Sequence, residues 1–165
     1  MPEQEVIDRA NRDKEEGKSP STQAGEFGRE EMHHIREGKH GAANTKQAIA
    51  IGLSKARRAG VDLPQPSEGS TSERTRKQAQ RDTEKGEEGN PAPSRTRSRA
   101  VSKALKREGH SAASPANLSR RAKSATRKRG PAARKASAQR AVRTKGSAGL
   151  RQSARKAARS RKQSR

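Results

Sequence analysis

A short stretch of the chain concentrates side chains that commonly bind transition metals. It holds three histidines and three glutamates: Glu30, Glu31, His33, His34, Glu37 and His40. On a helix, His33 and Glu37 lie one turn apart, as do Glu30 and His34. Such pairs arise by chance in any polar helix, and neither a thiolate nor an HExxH pattern accompanies them. We therefore interpret the histidines as surface side chains and predict no metal site and no cofactor.

The same region contains residue types of two other kinds of site, a phosphate-binding loop and a catalytic triad. Gly38-Lys39-His40-Gly41 precedes Thr45, but the GxxxxGK[ST] spacing and a preceding strand are missing. Ser, His and Glu side chains occur, yet a chain without a sizeable core cannot hold them in register. We therefore expect a helix-ending turn at residues 38–41, no catalytic residues and no enzyme activity.

The amino-acid composition limits the size of any core. Of 165 residues, 14 are Leu, Ile, Val or Phe, whereas 40 are Lys or Arg and 18 are Asp or Glu. That apolar share lies far below the roughly 20% under which a highly charged chain is expected to stay unfolded. The absence of Cys excludes disulfides and thiolate metal sites. We predict a chain that is mostly α and largely disordered.

The charge is divided sharply along the chain. Residues 1–90 contain 16 basic and 17 acidic side chains, whereas residues 91–165 contain 24 basic side chains and one acid, Glu108. A near-neutral head followed by a strongly cationic tail is typical of a nucleic-acid-binding arm.

The head, residues 1–63, has the apolar spacing of short helices. Val6, Ile7 and Ala10 lie on one side of a first helix. A second helix follows Ser19 and ends near Gly38. Its stripe at helical spacing consists of Ala24, Phe27, Gly28, Met32 and Ile35.

A third helix is indicated by a capping box at Asn44 and Gln47 and by a terminating Gly60. The residues on its inner face are Ile49, Gly52, Leu53 and Ala56. Gly52 would let another backbone approach closely. The second and third helices together predict a small helical hairpin over about residues 20–62.

Three stretches of the head resemble a bacterial domain family of unknown function. They are Ser21-Thr22-Gln23-Ala24-Gly25-Glu26-Phe27, Ile35-Arg36-Glu37-Gly38-Lys39-His40-Gly41, and Thr45 to Gly60 with the sequence TKQAIAIGLSKARRAG. Proteins of that family often carry basic, alanine-rich tails and are commonly labelled DNA-binding or histone-like. The resemblance covers about a quarter of the chain. It implies a bacterial cytoplasmic protein and supplies no catalytic residues.

Residues 64–94 lack Leu, Ile, Val, Phe and Met, and we predict that they form a disordered linker. Residues 71–85 could form a polar helix, but we expect that helix to have no face to bury.

The tail, residues 95–165, is divided by Gly and Pro into the segments 95–108, 114–129, 131–145 and 147–161. Ser114-Pro115 predicts a helix start, and Gly130 and Gly146 predict helix ends. Alanine favours helix, but Arg and Lys at three- and four-residue spacings repel one another. We therefore expect a disordered tail with short marginal helices, which form when phosphates remove the repulsion.

Residues 91–165 contain 16 Arg and 8 Lys and no aromatic side chain for base stacking. Arg is the side chain that enters narrow minor grooves when DNA is bound through backbone and shape. The sequence thus predicts a histone-like, nucleoid-associated protein that binds duplex DNA without sequence preference. The predicted nucleic-acid-binding residues are Arg95, Arg97, Arg99, Lys103, Lys106, Arg107, Arg120, Arg121, Lys123, Arg127, Lys128, Arg129, Arg134, Lys135, Arg140, Arg143, Lys145, Arg151, Arg155, Lys156, Arg159, Arg161 and Lys162.

Three other kinds of function remain open. The protein could be associated with RNA or the ribosome, or the head could bind itself or a protein partner while the tail localises it. That partner surface would consist of Phe27, Ile35, Ile49 and Leu53. The chain could also be a counter-ion-like stress or solubilising protein without a defined target. No apolar run reaches the roughly 20 residues of a membrane span, so we expect no membrane partner and a location in the cytoplasm, on the bacterial nucleoid.

Overall fold

All regular elements in the described part of the chain are helical. The computed structural model describes residues 3–89 and 94–163. These residues contain α1 (Gln4–Glu15), α2 (Pro20–Arg36), α3 (Thr45–Arg58), α4 (Glu73–Glu87), α5 (Arg95–Lys106), a 3₁₀ turn (Ser111–Ala113), α6 (Pro115–Lys128) and α7 (Gly130–Gln163). Helices account for 77% of the described residues. The expectation of a largely disordered chain is therefore wrong.

The cap signals of the head place α2 and α3 correctly. Pro20 is the first residue of α2, directly after Ser19. The N–H of Gln47 donates to Asn44 Oδ1 at 3.0 Å, as a capping box requires. The Gln47 side chain accepts a bond from the N–H of Ala43 at 2.8 Å, one residue before the expected donor. These bonds are local, which is why the sequence predicts them.

The hydrophobic core between α1, α2 and α3 is small. The buried cluster consists of Val6, Ala10, Ala24, Phe27, Ala56, Val61 and Leu63. α2 crosses α3 where Gly28 meets Gly52, and a Cβ added to Gly52 would lie 2.9 Å from the Gly28 Cα. The predicted close backbone approach at Gly52 is confirmed, and its partner is the glycine of the α2 stripe.

A second cluster is completed by residues that the sequence assigns to the tail. Ala112 and Ala113 are buried against Ile35, Ala42 and Ala48. We call residues 105–113 the docking segment, since several of its carbonyl groups accept bonds from the head. The bonds are Gly41 N–H to Leu105 O (2.9 Å), Ala42 N–H to Gly109 O (3.0 Å), Thr45 Oγ1–H to Ala112 O (2.6 Å) and Arg36 Nε–H to Ala113 O (3.0 Å). The core of the head therefore extends beyond residue 63.

The predicted disordered linker contains α4, which packs on α3. Asp82 is 1% exposed. Its carboxylate accepts hydrogen bonds from Ser54 Oγ at 2.6 Å, Arg58 Nε at 2.8 Å and Gln78 Nε2 at 3.0 Å. Ala79 is buried on the same helix. The expectation that this segment has no face to bury is wrong. The buried face is polar and depends on a carboxylate, so the sequence shows no apolar periodicity there.

The tail segments are folded as helices in the absence of nucleic acid. The segment boundaries agree with the prediction, since α5, α6 and the two parts of α7 fall within or close to the four segments. The expected disorder is wrong. Ala, Arg and Lys are all strong helix formers, and each like-charge pair opposes helix by about 0.2–0.5 kcal/mol. The summed helix propensity of these residues therefore outweighs the repulsion between their like charges.

The chain divides into two compact units. The first ends at Ser119 and contains α1 to α5, the docking segment and the start of α6. The second begins at Arg120 and contains the rest of α6 and α7.

We predict that Asp82→Ala detaches α4 from α3. The substitution leaves the Arg58 guanidinium without its carboxylate and should lower the free energy of unfolding by about 2 kcal/mol. Glu84→Ala on the exposed side of α4 is the control and should change it by less than about 0.5 kcal/mol. Urea unfolding followed by circular dichroism measures both. Equal, small effects of the two substitutions would show that α4 is not docked.

We predict that Gly41→Ala disrupts the docking segment. An added Cβ overlaps the Glu108 carbonyl, which is backbone and cannot move aside without breaking the bonds around it. The melting temperature should fall, with a loss of about 1 kcal/mol or more. Gly25→Ala, an exposed site in α2 where a Cβ meets nothing within 4 Å, should raise stability by about 0.5–1 kcal/mol. A Gly41→Ala protein as stable as the parent would contradict the docked arrangement.

Candidate nucleic-acid interface

The predicted nucleic-acid-binding residues all lie in or beside α5, α6 and α7, which we call the basic helices. α5 and its C-cap carry Arg95, Arg97, Arg99, Lys103, Lys106 and Arg107. α6 carries Arg120, Arg121, Lys123, Arg127 and Lys128, with Arg129 directly after it. α7 carries Arg134, Lys135, Arg140, Arg143, Lys145, Arg151, Arg155, Lys156, Arg159, Arg161 and Lys162. Except for the half-buried Arg121, these residues are exposed.

The cations of the basic helices differ from those of the head in their partners. Within the described residues, every ion pair joins side chains between Glu3 and Asp82. From Arg95 to Arg159, none of the Lys or Arg side chains forms an ion pair with a described carboxylate. Residues 3–82 thus pair many of their cations with carboxylates, whereas the mostly exposed cations from Arg95 to Arg159 face solvent without such partners.

One shallow surface groove lies along α5. Its lining consists of Ser98, Arg99, Ser102, Lys103, Lys106 and Arg107. Four cations and two hydroxyl groups on successive turns can donate hydrogen bonds to several anionic oxygens at once. This groove therefore suits a row of phosphates better than a compact small molecule.

On α6 the cations share one side of the helix. Arg120, Lys123 and Arg127 follow one another at spacings of three and four residues, which places them in a row. Ser114 opens the helix by accepting a bond from the N–H of Asn117 at 3.3 Å. Arg127 and Lys128 lie in the last turn, where the helix dipole favours cations.

α7 is interrupted at Gly146. The backbone there has φ 61° and ψ 177°, a conformation that L-residues with a side chain rarely adopt. The predicted helix end at Gly146 is confirmed, as is the one at Gly130, which has φ 71°. In the second part of α7, Arg151, Arg155 and Arg159 repeat every four residues and form another row.

The partner surface predicted for the head does not exist as a whole in this fold. Phe27 and Ile35 are 0% exposed and belong to the two buried clusters. Ile49 and Leu53 are half-buried, and Leu53 packs against the first cluster. The predicted partner surface therefore belongs largely to the core. The helices of a small head have few large apolar side chains and bury most of their surface.

Two of the three histidines in residues 30–40 are less exposed than predicted. His33 is exposed, as expected. The His34 and His40 side chains are only 12% and 17% exposed, so their interpretation as surface side chains is wrong. The Glu31 side chain is completely buried. Sequence spacing shows the pairs within α2 but not the turn that brings His40 back onto the helix.

A lysine from α3 joins this group. Lys55 Nζ lies 3.0 Å from Glu30 Oε2 and 2.9 Å from Glu31 Oε2. Burial acts to lower the pKa of Lys55, but the neighbouring Glu31 and Glu30 carboxylates outweigh burial and raise its pKa. At the rim, bonding to His34 and Lys39 lowers the pKa of Glu3. Lys55 is therefore a permanent cation between two buried carboxylates.

We predict that the basic helices are formed before any ligand binds. Far-ultraviolet circular dichroism of the full chain at low salt, without nucleic acid, should give a helical content close to 77%. Added duplex DNA should change this content little, since α5, α6 and α7 are already helical. If the basic helices were unfolded in solution, the helical content would roughly halve. A large gain of helix on adding DNA would also contradict the folded arrangement.

Comparison with known proteins concerns the head. Residues 7–66 match the sequence model of a family of unknown function (DUF6496). The matched segment contains most of α1, all of α2 and α3, and the start of the following loop. Comparison with curated proteins and with solved structures finds no match. None of the helices described in residues 3–89 and 94–163 is long and apolar enough to cross a membrane. The chain is thus similar to a family of unknown function through its first three helices.

Proposed function

We propose that the protein binds duplex DNA without sequence preference, as a histone-like, nucleoid-associated protein that neutralises phosphates with its basic helices. The observation that carries this proposal is the exposure of the α5, α6 and α7 cations together with their lack of carboxylate partners from Arg95 to Arg159. Side chains in this state attract diffuse counterions, and a polyanion that replaces those counterions gains free energy from their release.

The helical state of the basic region favours binding further. Rows such as Arg120, Lys123 and Arg127 are held in place by the α6 backbone. Binding then requires less ordering of the chain than it would in a disordered tail. The loss of conformational entropy that accompanies association is correspondingly smaller.

The aromatic content favours a duplex over a single strand. Proteins that grip single strands normally stack bases on aromatic rings. Phe27 is the one Phe in a chain without Trp or Tyr, and it is 0% exposed. A stacking platform on this ring is therefore not available. The two-to-one excess of Arg over Lys in residues 91–165 suits contacts to phosphates and to narrow minor grooves.

The proposal predicts a steep dependence of affinity on salt. If the full chain makes about 6–10 phosphate contacts, its affinity for a duplex should fall by roughly 10³–10⁵ between about 50 and 200 mM salt. Fluorescence anisotropy with a labelled duplex measures this. Duplexes of equal length and composition but scrambled sequence should bind with nearly the same affinity, and strong discrimination between them would overturn the proposal.

Two triple variants of equal net charge locate the binding surface. One replaces Arg120, Lys123 and Arg127 of α6 by Gln, and the other replaces Arg74, Lys77 and Arg81 of α4 by Gln. Both sets are exposed on helices, and α4 already has acidic neighbours such as Glu73, which pairs with Lys77 at 3.7 Å. The α6 variant should bind more weakly and have a salt slope lower by about one per lost phosphate contact. Equal losses in the two variants would show that only net charge matters and that α6 is not a binding surface.

RNA binding is distinguished by competition. Unlabelled duplex DNA, duplex RNA and single-stranded RNA of the same length are added to the preformed complex at one salt concentration. Duplex DNA should displace the probe at the lowest concentration. Preferential displacement by either RNA would replace the DNA proposal with the RNA- or ribosome-associated function.

A further inference from the structure

Three side chains from α2 and the turn after it converge at one point beside α3. One ligand atom each from Glu31, His34 and His40 lies within 4.8 Å of the other two. Glu31 Oε1 and His40 Nε2 are 3.0 Å apart. Glu31 and His34 are separated by three residues on the helix, the Glu-x-x-His spacing that places a carboxylate and an imidazole on the same face.

The carboxylate at the centre of this group lacks hydrogen bonds. Glu31 is fully buried, and within the described residues neither of its oxygens receives a hydrogen bond of acceptable geometry. Lys55 and His40 stand at ion-pair distance from it but not at hydrogen-bonding angles. A buried ionised carboxylate requires a counter-charge or a metal ion. His40 faces Oε1 of Glu31, whereas Lys55 lies closest to the other oxygen, Oε2.

The charges of the group do not balance. Two buried carboxylates, Glu30 and Glu31, share one lysine, Lys55. At the rim, Glu3 is already paired with Lys39 at 3.3 Å. One negative charge therefore remains in the buried part, and it lies next to two imidazoles.

The orientation of His40 leaves one ring nitrogen for a ligand. Its Nδ1 lies 3.0 Å from the carbonyl oxygen of Gly41. Nδ1 must donate in this contact, because a carbonyl oxygen only accepts. In a neutral imidazole the lone pair of Nε2 then points at the Glu31 carboxylate, a repulsive contact unless a cation lies between them. Metal-binding histidines typically hold their second nitrogen on a backbone carbonyl or a carboxylate in this way.

We propose that Glu31, His34 and His40 bind one divalent transition-metal ion such as Zn²⁺, with a fourth position open to water. Two imidazoles and one carboxylate form a donor set that suits Zn²⁺ and neighbouring first-row metals better than Mg²⁺ or Ca²⁺. Lys55 pairs with Oε2 of Glu31 and with Glu30, and Glu3 Oε1 lies 3.1 Å from His34 Nε2, a contact that restrains this ring. The bound ion would fix the turn at His40, next to Gly41, whose N–H holds the docking segment.

The proposal is tested by adding Zn²⁺ alone to the full chain after chelator treatment and dialysis. Isothermal titration calorimetry should give one Zn²⁺ per chain. Glu31→Gln and His40→Gln should each weaken binding by more than about tenfold, since even the loss of an outer partner costs about 10–100-fold. His33→Gln is the matched control, because His33 lies on the exposed side of the same helix. It should leave the affinity unchanged.

Nuclear magnetic resonance of the unsubstituted protein provides a second readout that does not depend on how the variants fold. The ring nitrogens of the four histidines are followed in a long-range ¹H–¹⁵N spectrum. Zn²⁺ should shift one nitrogen each of His34 and His40 and leave His33 and His110 unchanged. The proposal is overturned if the protein binds no Zn²⁺, if His33→Gln weakens binding as much as His40→Gln, or if the shifts occur at His33 or His110.

Discussion

The contact between Gly28 of α2 and Gly52 of α3 sets the dimensions of the head. A Cβ on Gly52 would be 2.9 Å from the Gly28 Cα, so the two backbones touch directly. This closeness is a consequence of the composition. Of the 13 buried apolar residues in the described chain, eight are alanine, and alanines can fill the space between two helices only if the helices lie close together. A larger residue at Gly52 would separate the helices and leave cavities in the alanine core, whereas a Cβ added to Gly28 meets nothing within 4 Å.

Because the apolar core is small, polar groups complete the interior. Lys55 joins the two buried glutamates of α2 to α3, and Asp82 joins α4 to α3 through Arg58 and Ser54. Buried ion pairs add little net stability compared with apolar packing, but removing one partner is costly. They therefore favour one arrangement of the helices over others. Within the described residues, all of these ion pairs lie between Glu3 and Asp82, and the cations from Arg95 to Arg159 have no carboxylate partner.

The docking segment connects these two parts of the molecule. It belongs by composition to the cationic region, yet Ala112 and Ala113 complete the cluster around Ile35. Leu105, at the end of α5, accepts a bond from Gly41, one residue after His40. The head therefore holds the C-terminal end of the first basic helix in a defined place. In the proposed function, this contact presents α5 to DNA from a folded support, and the proposed metal ion would stabilise the turn that makes it.

The sequence by itself determined the separation of charge and most of the helix boundaries. Caps such as Asn44 with Gln47 and stops such as Gly146 act within a few residues, so they can be recognised without knowledge of the fold. Only the tertiary structure decided which polar residues are buried. Asp82 meets Arg58 across 24 residues, and Thr45 meets Ala112 across 67. No periodicity marks these partners, because a carboxylate on a polar helix and an alanine in an alanine-rich tail look like their neighbours. The helical state of the tail could not be predicted from the sequence either. It depends on the balance between helix propensity and like-charge repulsion, two opposing contributions of similar size.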